Sequence, residues 1–448
     1  MYAFVGKRYA DRNSSTPRGG RSMIAAEKLA IDGGTPVSTE KFPPWPWFTD
    51  EIIQAAMEPL KTGRVNYWTG ELGFKFEQAF AEWNGAKFGI STSSGTAALH
   101  VALASLGIGP GDEVIVPSYT FIASSFAVCQ ALAVPVFADV EPQSHTISAE
   151  DIERKISDRT KAIVVVHLYG EVCDMDTIKD VARRYNLRVI EDCAQAHGAT
   201  YKGKKVGTIG DVGAFSFCQS KTFTTGGEGG CVITDDEEVA WNCRSFRDHG
   251  YDVAERLRLL ELEAKLPYIH NSVGFNFRMT EMQSAIGLKE LERLDNWNLA
   301  NRRRNGEMLL NLLSDCPHII KLPVHNEERQ NGFWMFPIIV DIDVMDRDAR
   351  ALVDAINAEG IPCGPVMWPQ CYKEKAYKEK RGFGRLGYPF GDPNARPEAV
   401  DYSKTYCPNA AWVEERCFFV PVHPTYEPRH IELIAKAIRK VLTTCAKR

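Results

Sequence analysis

A lysine stands between an apolar run and a glycine-rich turn in the middle of the chain. Lys221 follows the apolar run 213–217, and four of the five residues in 226–230 are glycine. Further upstream, the apolar run 189–192 ends in two carboxylates, Glu191 and Asp192. Buried strands of α/β proteins deliver such groups to their carboxyl ends, where ligands bind. The spacing therefore predicts a site in which a lysine amine does covalent, imine-forming chemistry.

These groups fit pyridoxal phosphate (PLP), a cofactor that bonds to a lysine amine. Asp192 would then pair with the pyridine nitrogen, although a helix N-cap or a surface acid is an alternative. A third interpretation, the ribose-binding acid of a dinucleotide fold, needs G-x-G-x-x-G about 20 residues upstream, and none is present. A lone lysine is usually solvated, but the strand before Lys221 and the glycines after it favour an inward-pointing amine.

Small hydroxyl residues and a glycine come before a predicted helix at 96–106. Ser94, Gly95 and Thr96 could cradle a phosphate, because free N–H groups and the positive end of the helix dipole attract anions. Ser and Thr also favour helix starts for their own sake. Taken alone, this segment favours an ordinary N-cap.

Short β-rich runs alternate with helical stretches between residue 50 and about 250. Their almost continuous apolarity predicts a mostly parallel sheet that is covered on both faces. Strands are predicted at 113–116, 135–138, 162–166, 188–191, 213–217 and 231–234. Further helices are predicted at 120–131, 175–185, 236–247 and 280–296, the last with Thr280 as N-cap.

We predict an α/β protein with a large domain over 23–300 and a smaller C-terminal α+β domain over 301–448. A strand at 334–340 and helices at 348–358 and 428–443 mark the second domain. Residues 368–412, rich in Gly, Pro, Tyr and Lys, are predicted to form an irregular excursion instead of a packed core. Residues 1–22 are predicted to be a flexible basic arm.

Composition excludes several classes of partner. The 448 residues carry a net charge of −5, which disfavours nucleic acid or an acidic membrane as the main partner. No apolar run approaches the roughly 20 residues that span a bilayer. The twelve cysteines show no CxxC pair, and several fall in apolar runs. We therefore expect reduced thiols, a cytoplasmic location, no disulfide framework and no metal site.

Ordered motifs along nearly the whole chain after the arm resemble the DegT/StrS-type sugar and cyclitol aminotransferases. The resemblance begins near residue 29 and extends to the final helix. It implies the fold type I aminotransferase architecture and a homodimer. The segments that carry it are 29–34, 94–96, 117–121, 167–170, 192–198, 210–217, 221, 227–230 and 274–278.

The resemblance gives each residue around the cofactor ring a role. Lys221 would form the Schiff base with PLP, and Asp192 would pair with the pyridine nitrogen. Gln195 would lie near the ring hydroxyl, and Phe121 would stack on the ring face. Without the resemblance, Phe121 would be taken for a packing residue.

The resemblance also supplies a phosphate site. Ser94, Gly95 and Thr96 would hold the cofactor phosphate together with Ser216. Asn276 matches a residue that reaches the phosphate from the neighbouring subunit. Each site would therefore lie at the interface of the homodimer.

Four further residues are candidates for contact with substrate. Tyr67 and Trp68 could line a pocket for a polyhydroxylated ring, and core packing is an equally good explanation. Arg278 could bind the carboxylate of the amino donor, but a structural ion pair is favoured. His167 could touch substrate or be a satisfied core histidine.

The activity that the resemblance implies is transamination from glutamate or glutamine to a keto-sugar or keto-cyclitol. Related sugar 3-dehydratases carry histidine where this chain has Lys221, which argues against that reaction. A PLP-dependent synthase of an aminated cyclic or aromatic acid remains an alternative. A non-catalytic PLP-binding regulator is a further alternative, but residues 1–22 are too few for an appended DNA-binding module.

Overall fold

A computed structural model of the protein describes residues 27–142, 144–262 and 268–447. The predicted arm at 1–22 lies outside the described residues. The helices are α1 (Asp50–Thr62), α2 (Leu72–Asn84), α3 (Gly95–Ser105), α4 (Ala123–Gln130), α5 (Ala149–Lys155), α6 (Met175–Tyr185), α7 (Glu237–Arg247), α8 (Val253–Glu261), α9 (Glu281–Glu292), α10 (Ala300–Leu313), α11 (Ala349–Ala358), α12 (Lys375–Lys378), α13 (Pro408–Arg416) and α14 (Pro428–Thr444).

The strands are β1 (Phe88–Thr92), β2 (Glu113–Pro117), β3 (Val134–Ala138), β4 (Thr160–Val166), β5 (Arg188–Asp192), β6 (Thr200–Tyr201), β7 (Lys204–Lys205), β8 (Val212–Ser216), β9 (Gly230–Thr234), β10 (Ile319–Lys321), β11 (Arg329–Gln330), β12 (Met335–Val340), β13 (Gly364–Pro365) and β14 (Cys417–Pro421). Each predicted strand of the large domain is present, with ends that differ by no more than two residues. Strand β1 was not predicted.

The central sheet has seven strands in the order β1-β9-β8-β5-β4-β2-β3. Neighbours from β8 to β3 are parallel, while β9 runs antiparallel to both β8 and β1. Side chains on both faces of these strands are buried, as at Ile115, Val164 and Ile190. The predicted mostly parallel sheet, covered on both faces, is confirmed. Its parallel strands bring their carboxyl ends to one edge.

Helix α9 begins where the sequence predicts. Thr280 is its N-cap, and its side chain accepts from the backbone N–H of Gln283 while Gln283 bonds back to Thr280, a capping box. The predicted α-helix to residue 296 ends earlier, at Glu292, and a π-helical segment Leu294–Leu299 follows. Leu294 and Leu299 are both fully buried five residues apart, a spacing that a π turn brings to one face.

A second, four-stranded antiparallel sheet has the order β10-β12-β14-β13. Helices α10, α11 and α14 share an apolar core with it, which confirms the smaller α+β domain of the predicted fold class. Leu29, near the start of the described chain, belongs to the same core. Glu359 holds this segment by accepting from the backbone N–H groups of Ala30 and Val37, each at 2.9 Å.

The excursion at 368–412 is irregular, as predicted, but the expectation that it is not packed is wrong. Tyr377 and Tyr402 are buried and belong to the same apolar core as β2 and β3. Their rings lie 5.0 and 5.5 Å from that of Phe137, and the Tyr402 hydroxyl donates to the carbonyl of Pro135. The tyrosines that suggested a loop are in fact the residues that anchor it.

Two further findings concern the cysteines and the helices of the described residues. All twelve cysteines fall in the described residues, and none is in a disulfide. Across the same described ranges, no helix has both the length and the apolar character needed to cross a membrane.

Candidate active site

A cavity of about 810 Å³ opens at the carboxyl ends of β2, β5 and β8 and the start of α3. The structure brings eight of the predicted site residues to its wall. They are Ser94, Gly95, Thr96, Phe121, Asp192, Gln195, Ser216 and Lys221. The fold assembles them because β5 ends at Asp192 and β8 ends at Ser216, beside the start of α3.

Lys221 is buried, and only 8% of its surface is exposed. Its Nζ lies 4.2 Å from the centre of the Trp334 ring. Burial lowers the pKa of Lys221 to about 8, against the opposing charge of Asp192. A larger share of this amine is therefore neutral near pH 7 than in an ordinary lysine.

Asp192 lies at the end of β5 with both carboxylate oxygens bonded. Oδ2 accepts from the hydroxyl of Ser124 at 2.8 Å, and Oδ1 accepts from the backbone N–H of Ala194 at 3.1 Å. Burial raises the pKa of Asp192, while these two hydrogen bonds and the nearby Lys221 oppose that rise. The carboxylate is therefore held in one orientation beside the lysine.

The amide of Gln195 is oriented by a backbone group. Its Oε1 accepts from the N–H of Tyr169 at 2.8 Å, so the NH₂ end is the part left to donate to a ligand. Tyr169 has a φ of 59°, a left-handed conformation that is strained for a residue with a bulky side chain. Such strain is typical of functional sites.

The start of α3 serves as both a helix cap and an anion site. The Ser94 hydroxyl accepts from the N–H of Ala97 at 3.1 Å, so Ser94 is the N-cap that the sequence favours. No described residue accepts from the N–H groups of Gly95 or Thr96. A Cβ on Gly95 would lie 2.5 Å from the Cβ of Ser216, so only glycine lets these segments approach.

Sequence reasoning missed the aromatic wall of the cavity. Trp368 stacks near Tyr169 and Trp334, with ring centres 5.9 and 6.2 Å apart and interplanar angles of 16° and 9°. Phe121, which is 45% exposed, lies 5.8 Å from Trp368. Trp368 follows the short strand β13, and no periodic pattern in its segment points to a site.

Tyr67 and Trp68 do not line the Lys221 cavity of their own chain. Tyr67 is buried and its hydroxyl donates to Glu77 at 3.1 Å. Trp68 Nε1 donates to Asp248 at 2.5 Å, and Arg278 forms an ion pair with the same carboxylate. The two aromatic residues border a separate cavity of about 340 Å³.

His167 is fully buried and both of its ring nitrogens are bonded. Nδ1 accepts from the backbone N–H of Cys173 at 3.2 Å, so the ring proton is on Nε2, which lies 3.0 Å from Glu191. With Cys193, these two side chains form the one group in the described ranges whose possible metal-ligand atoms lie within 4.8 Å of one another.

The carboxylate of Glu191 in this group already accepts hydrogen bonds from the backbone. Glu191 accepts from the N–H groups of Gly207, Ile209 and Gly210 at 2.6–2.8 Å. Burial alone would raise the pKa of Glu191, but the hydrogen bonds from His167 and this loop hold it below its usual value. The arrangement indicates a carboxylate that organises the loop, not a metal ligand.

Asn276 is also absent from the wall of the cavity in its own chain. Its backbone pairs with that of Asp248, next to the Trp68 and Arg278 contacts. Two neighbours of Asn276 are apolar and exposed: Val273 by 87% and Phe275 by 43%.

The mostly parallel sheet, with an aspartate and a buried lysine in the wall of one cavity, matches the fold type I architecture of PLP-dependent aminotransferases. Solved structures share this fold, and two of them illustrate the likeness. The aminotransferase from Psychrobacter cryohalolentis is 37% identical with a TM-score of 0.80, covering 90% of this chain and 100% of that one. The 3-amino-5-hydroxybenzoic acid synthase is 27% identical with a TM-score of 0.77, covering 90% and 99%.

The chain belongs to the DegT/DnrJ/EryC1/StrS aminotransferase family, which matches residues 47–439. GDP-perosamine synthase of Caulobacter vibrioides is 43% identical over 305 residues, which are 67% of this chain and 78% of that protein. L-glutamine:2-deoxy-scyllo-inosose aminotransferase of Streptomyces kanamyceticus is 37% identical over 355 residues, 77% and 82% of the two chains. The predicted family, fold and class of enzyme are confirmed.

Proposed function

We propose that the protein uses PLP to move an amino group from glutamine or glutamate to a keto-sugar or keto-cyclitol. The observation that carries the proposal is that a buried lysine and a hydrogen-bonded aspartate line the same cavity. The names of the relatives support the substrate class, because one makes a perosamine and another aminates an inosose.

The cavity fits the cofactor at both of its polar ends. The N–H groups of Gly95 and Thr96 at the helix start suit a phosphate, and the close approach of Gly95 to Ser216 lets the Ser216 hydroxyl join them. Ser94 borders the same end of the cavity. At the other end, Asp192 offers a fixed carboxylate to a pyridine nitrogen.

The remaining groups suit the ring itself. The free NH₂ of Gln195 can donate to the ring oxygen, and the exposed Phe121 can cover a ring face. When bound, PLP would accept the electrons released at the α-carbon of the donor. Asp192 would support this by keeping the pyridine nitrogen protonated.

Lys221 would act twice, first as the covalent attachment point and then as the proton carrier. Its Nζ would take the proton from the donor α-carbon and deliver it to the cofactor carbon on the other side of the transferred nitrogen, since both carbons lie within reach of one amine. The lowered pKa suits both tasks because each needs a neutral amine for part of the cycle. The apolar wall of Trp334 and Trp368 would limit water near that amine.

Borohydride trapping tests the role of Lys221. Protein incubated with PLP is reduced, digested and mapped by mass spectrometry, with half-buried Lys205 as an internal control. We expect the cofactor mass on Lys221 and not on Lys205. Label on other lysines only, or no label at all, would contradict the proposal.

We also propose a homodimer in which Asn276 of one copy reaches the site of the other. The exposed apolar Val273 and Phe275 beside Asn276 support this. Coexpression of Lys221→Ala and Asn276→Ala chains provides a test. Mixed dimers should regain one intact site if Asn276 acts across the interface, and none if it acts within its own chain.

The acceptor can be identified by direct comparison. Nucleotide-linked keto-sugars and free inososes are offered with glutamine or glutamate, and the amino product is detected by mass. Amination of neither class would refute the proposed substrate range. Tyr67, Trp68 and Arg278 remain candidate substrate residues and would act from the partner subunit. His167 is instead a core histidine, because it is fully buried and both of its ring nitrogens are bonded within the protein. We further propose a cytoplasmic location, on the sequence argument that the cysteines suit a reducing compartment.

A further inference from the structure

Three consecutive backbone carbonyls at the reactive lysine each accept a hydrogen bond from a side-chain N–H group. The bonds run from Trp334 Nε1 to Ser220 (2.5 Å), from Trp45 Nε1 to Lys221 (3.0 Å) and from Asn298 Nδ2 to Thr222 (2.6 Å). The turn that carries the amine is therefore held at every residue from 220 to 222.

The three donors come from distant parts of the chain. Trp45 lies in the segment before α1, Asn298 in the π-helical segment Leu294–Leu299, and Trp334 immediately before β12. The turn itself belongs to the large domain, after β8. Elements from both domains thus meet at the backbone of Lys221.

A buried arginine links the donors to one another. Arg302 Nε donates to the Asn298 side-chain oxygen at 2.9 Å, and its NH1 donates to the Trp334 carbonyl at 3.2 Å. Its guanidinium also lies 5.1 Å from the centre of the Trp45 ring. Arg302 is fully buried, and no carboxylate of the described ranges is among the groups that influence its pKa.

Such a charge destabilises a fold unless it is compensated. Burial lowers the pKa of Arg302 to about 9, which reflects that cost. Its contacts connect it to all three donors of the lysine turn. This energetic cost is therefore incurred next to the three residues that bond the lysine turn.

Buried carbonyls are ordinarily satisfied, so the three bonds alone could serve stability only. The position of Trp334 argues for more. The same indole that bonds Ser220 also places its ring face 4.2 Å from Lys221 Nζ. Trp334 thus holds the backbone next to Lys221 and also provides the ring face against which the lysine amine lies. A four-carbon lysine side chain needs such fixing to keep its amine in one place.

We propose that Trp45, Asn298 and Trp334 are positioning residues for Lys221 and that Arg302 braces them. The inference rests on the proposed role of Lys221 and extends it to residues that hold the backbone of the lysine turn, of which only Trp334 also lines the cavity. Trp45 is the clearest case because it does not line the cavity and its hydrogen bond to the site is the one to the Lys221 carbonyl.

Trp45→Phe tests the proposal because it removes the indole N–H and keeps an aromatic ring. Tyr402→Phe is the matched control: it removes one side-chain bond to a buried carbonyl, that of Pro135 at 3.0 Å, far along the chain from Lys221. Asn298→Asp is a second test variant. It keeps the oxygen that Arg302 binds and loses the donor to Thr222.

Two readouts separate positioning from stability. The first is the rate at which the full chain, freed of cofactor, attaches PLP at Lys221. We expect this attachment rate to fall on the order of 10- to 100-fold in Trp45→Phe, because displacing a reacting group by about 1 Å can slow its reaction about 100-fold. The second is the pH midpoint for labelling Lys221 with an amine-specific reagent. It should rise from about 8 toward 10.5 as water reaches the amine. Tyr402→Phe should change neither.

The proposal is overturned if Trp45→Phe and Asn298→Asp keep the wild-type attachment rate and labelling midpoint, and a lower melting temperature in such variants would assign the bonds to stability alone. If one variant fails to fold, the other decides. Labelling needs no cofactor, so it decides the proposal even where the wild-type protein does not attach PLP. That failure would count against the proposed function alone.

Discussion

Replacing Asp192 by asparagine should lower the pKa of Lys221 still further while it abolishes most of the activity. Burial lowers the pKa of Lys221 to about 8, and the carboxylate of Asp192 is the largest influence that opposes this. Without that negative charge, the ammonium form loses its main support. The lysine should therefore react at lower pH in Asp192→Asn than in the wild-type protein.

The size of the effect follows from the protonation equilibrium. At pH 7, a lysine with a pKa of about 8 is neutral in about one molecule in ten. A nearby opposite charge shifts a pKa by about 1 unit or more. Loss of the carboxylate should thus raise the neutral fraction at pH 7 to about one half, an increase of about fivefold. Transamination should nevertheless fall on the order of 100-fold or more, because the charge that supports the pyridinium is gone.

Labelling with an amine-specific reagent over a pH series measures the midpoint directly. Mass spectrometry follows the Lys221 peptide of the cofactor-free chain. Glu228→Gln is the matched control, because Glu228 acts in the same direction but more weakly, and its midpoint should fall less. A midpoint that stays in place or rises in Asp192→Asn would refute the electrostatic account of the lysine.

Three further substitutions test other parts of the site. Gly95→Ala should weaken PLP binding by about tenfold or more in equilibrium dialysis, since its Cβ would lie 2.5 Å from that of Ser216. Wild-type affinity would contradict the proposed phosphate site at the start of α3. Ser124→Ala removes a hydrogen bond that lowers the pKa of Asp192. The acid limb of the transamination rate plotted against pH should therefore move to higher pH, and an unmoved limb would contradict the role of this bond. Glu191→Gln should cost about 3 kcal/mol in urea unfolding, because backbone donors then meet an amide instead of a carboxylate; a cost near zero would show that the carboxylate does not organise its loop.

The last substitution also has a pH signature. The folded-state pKa of Glu191 lies below its ordinary value. Its contribution to stability should therefore be present above the unfolded pKa and be lost as pH falls through the folded one. The stability difference between wild type and Glu191→Gln should shrink in acid, and a difference that grows in acid would contradict the assignment.

The sequence was informative where a repeating physical pattern exists. Apolar strands such as β4 and β5 were predicted because strands buried on both faces have few polar residues. The same reasoning predicted that Asp192 lies at the end of a strand and that it shares a site with Lys221. Thr280 was predicted as a cap from its side-chain chemistry, and the capping box with Gln283 agrees.

Other features depend on contacts between distant residues, which no local pattern encodes. Tyr377, in the short helix α12, and Tyr402 pack into the core, whereas the turn-rich composition of their segment predicted an unpacked loop. The indole bonds of Trp45 and Trp334 link positions 176 and 114 residues apart, respectively, from their acceptors. Ser124 reaches Asp192 across 68 residues. Each is set by tertiary packing.

The central claim, amino transfer through Lys221, is tested most directly by the visible spectrum of the PLP-loaded protein before and after L-glutamine and then L-glutamate. The account predicts a band of the lysine-bound cofactor that one of these donors bleaches, with one equivalent of oxo acid released per site. The band should be missing in Lys221→Arg. A wild-type protein without the band, or one whose band neither donor changes, would contradict the claim.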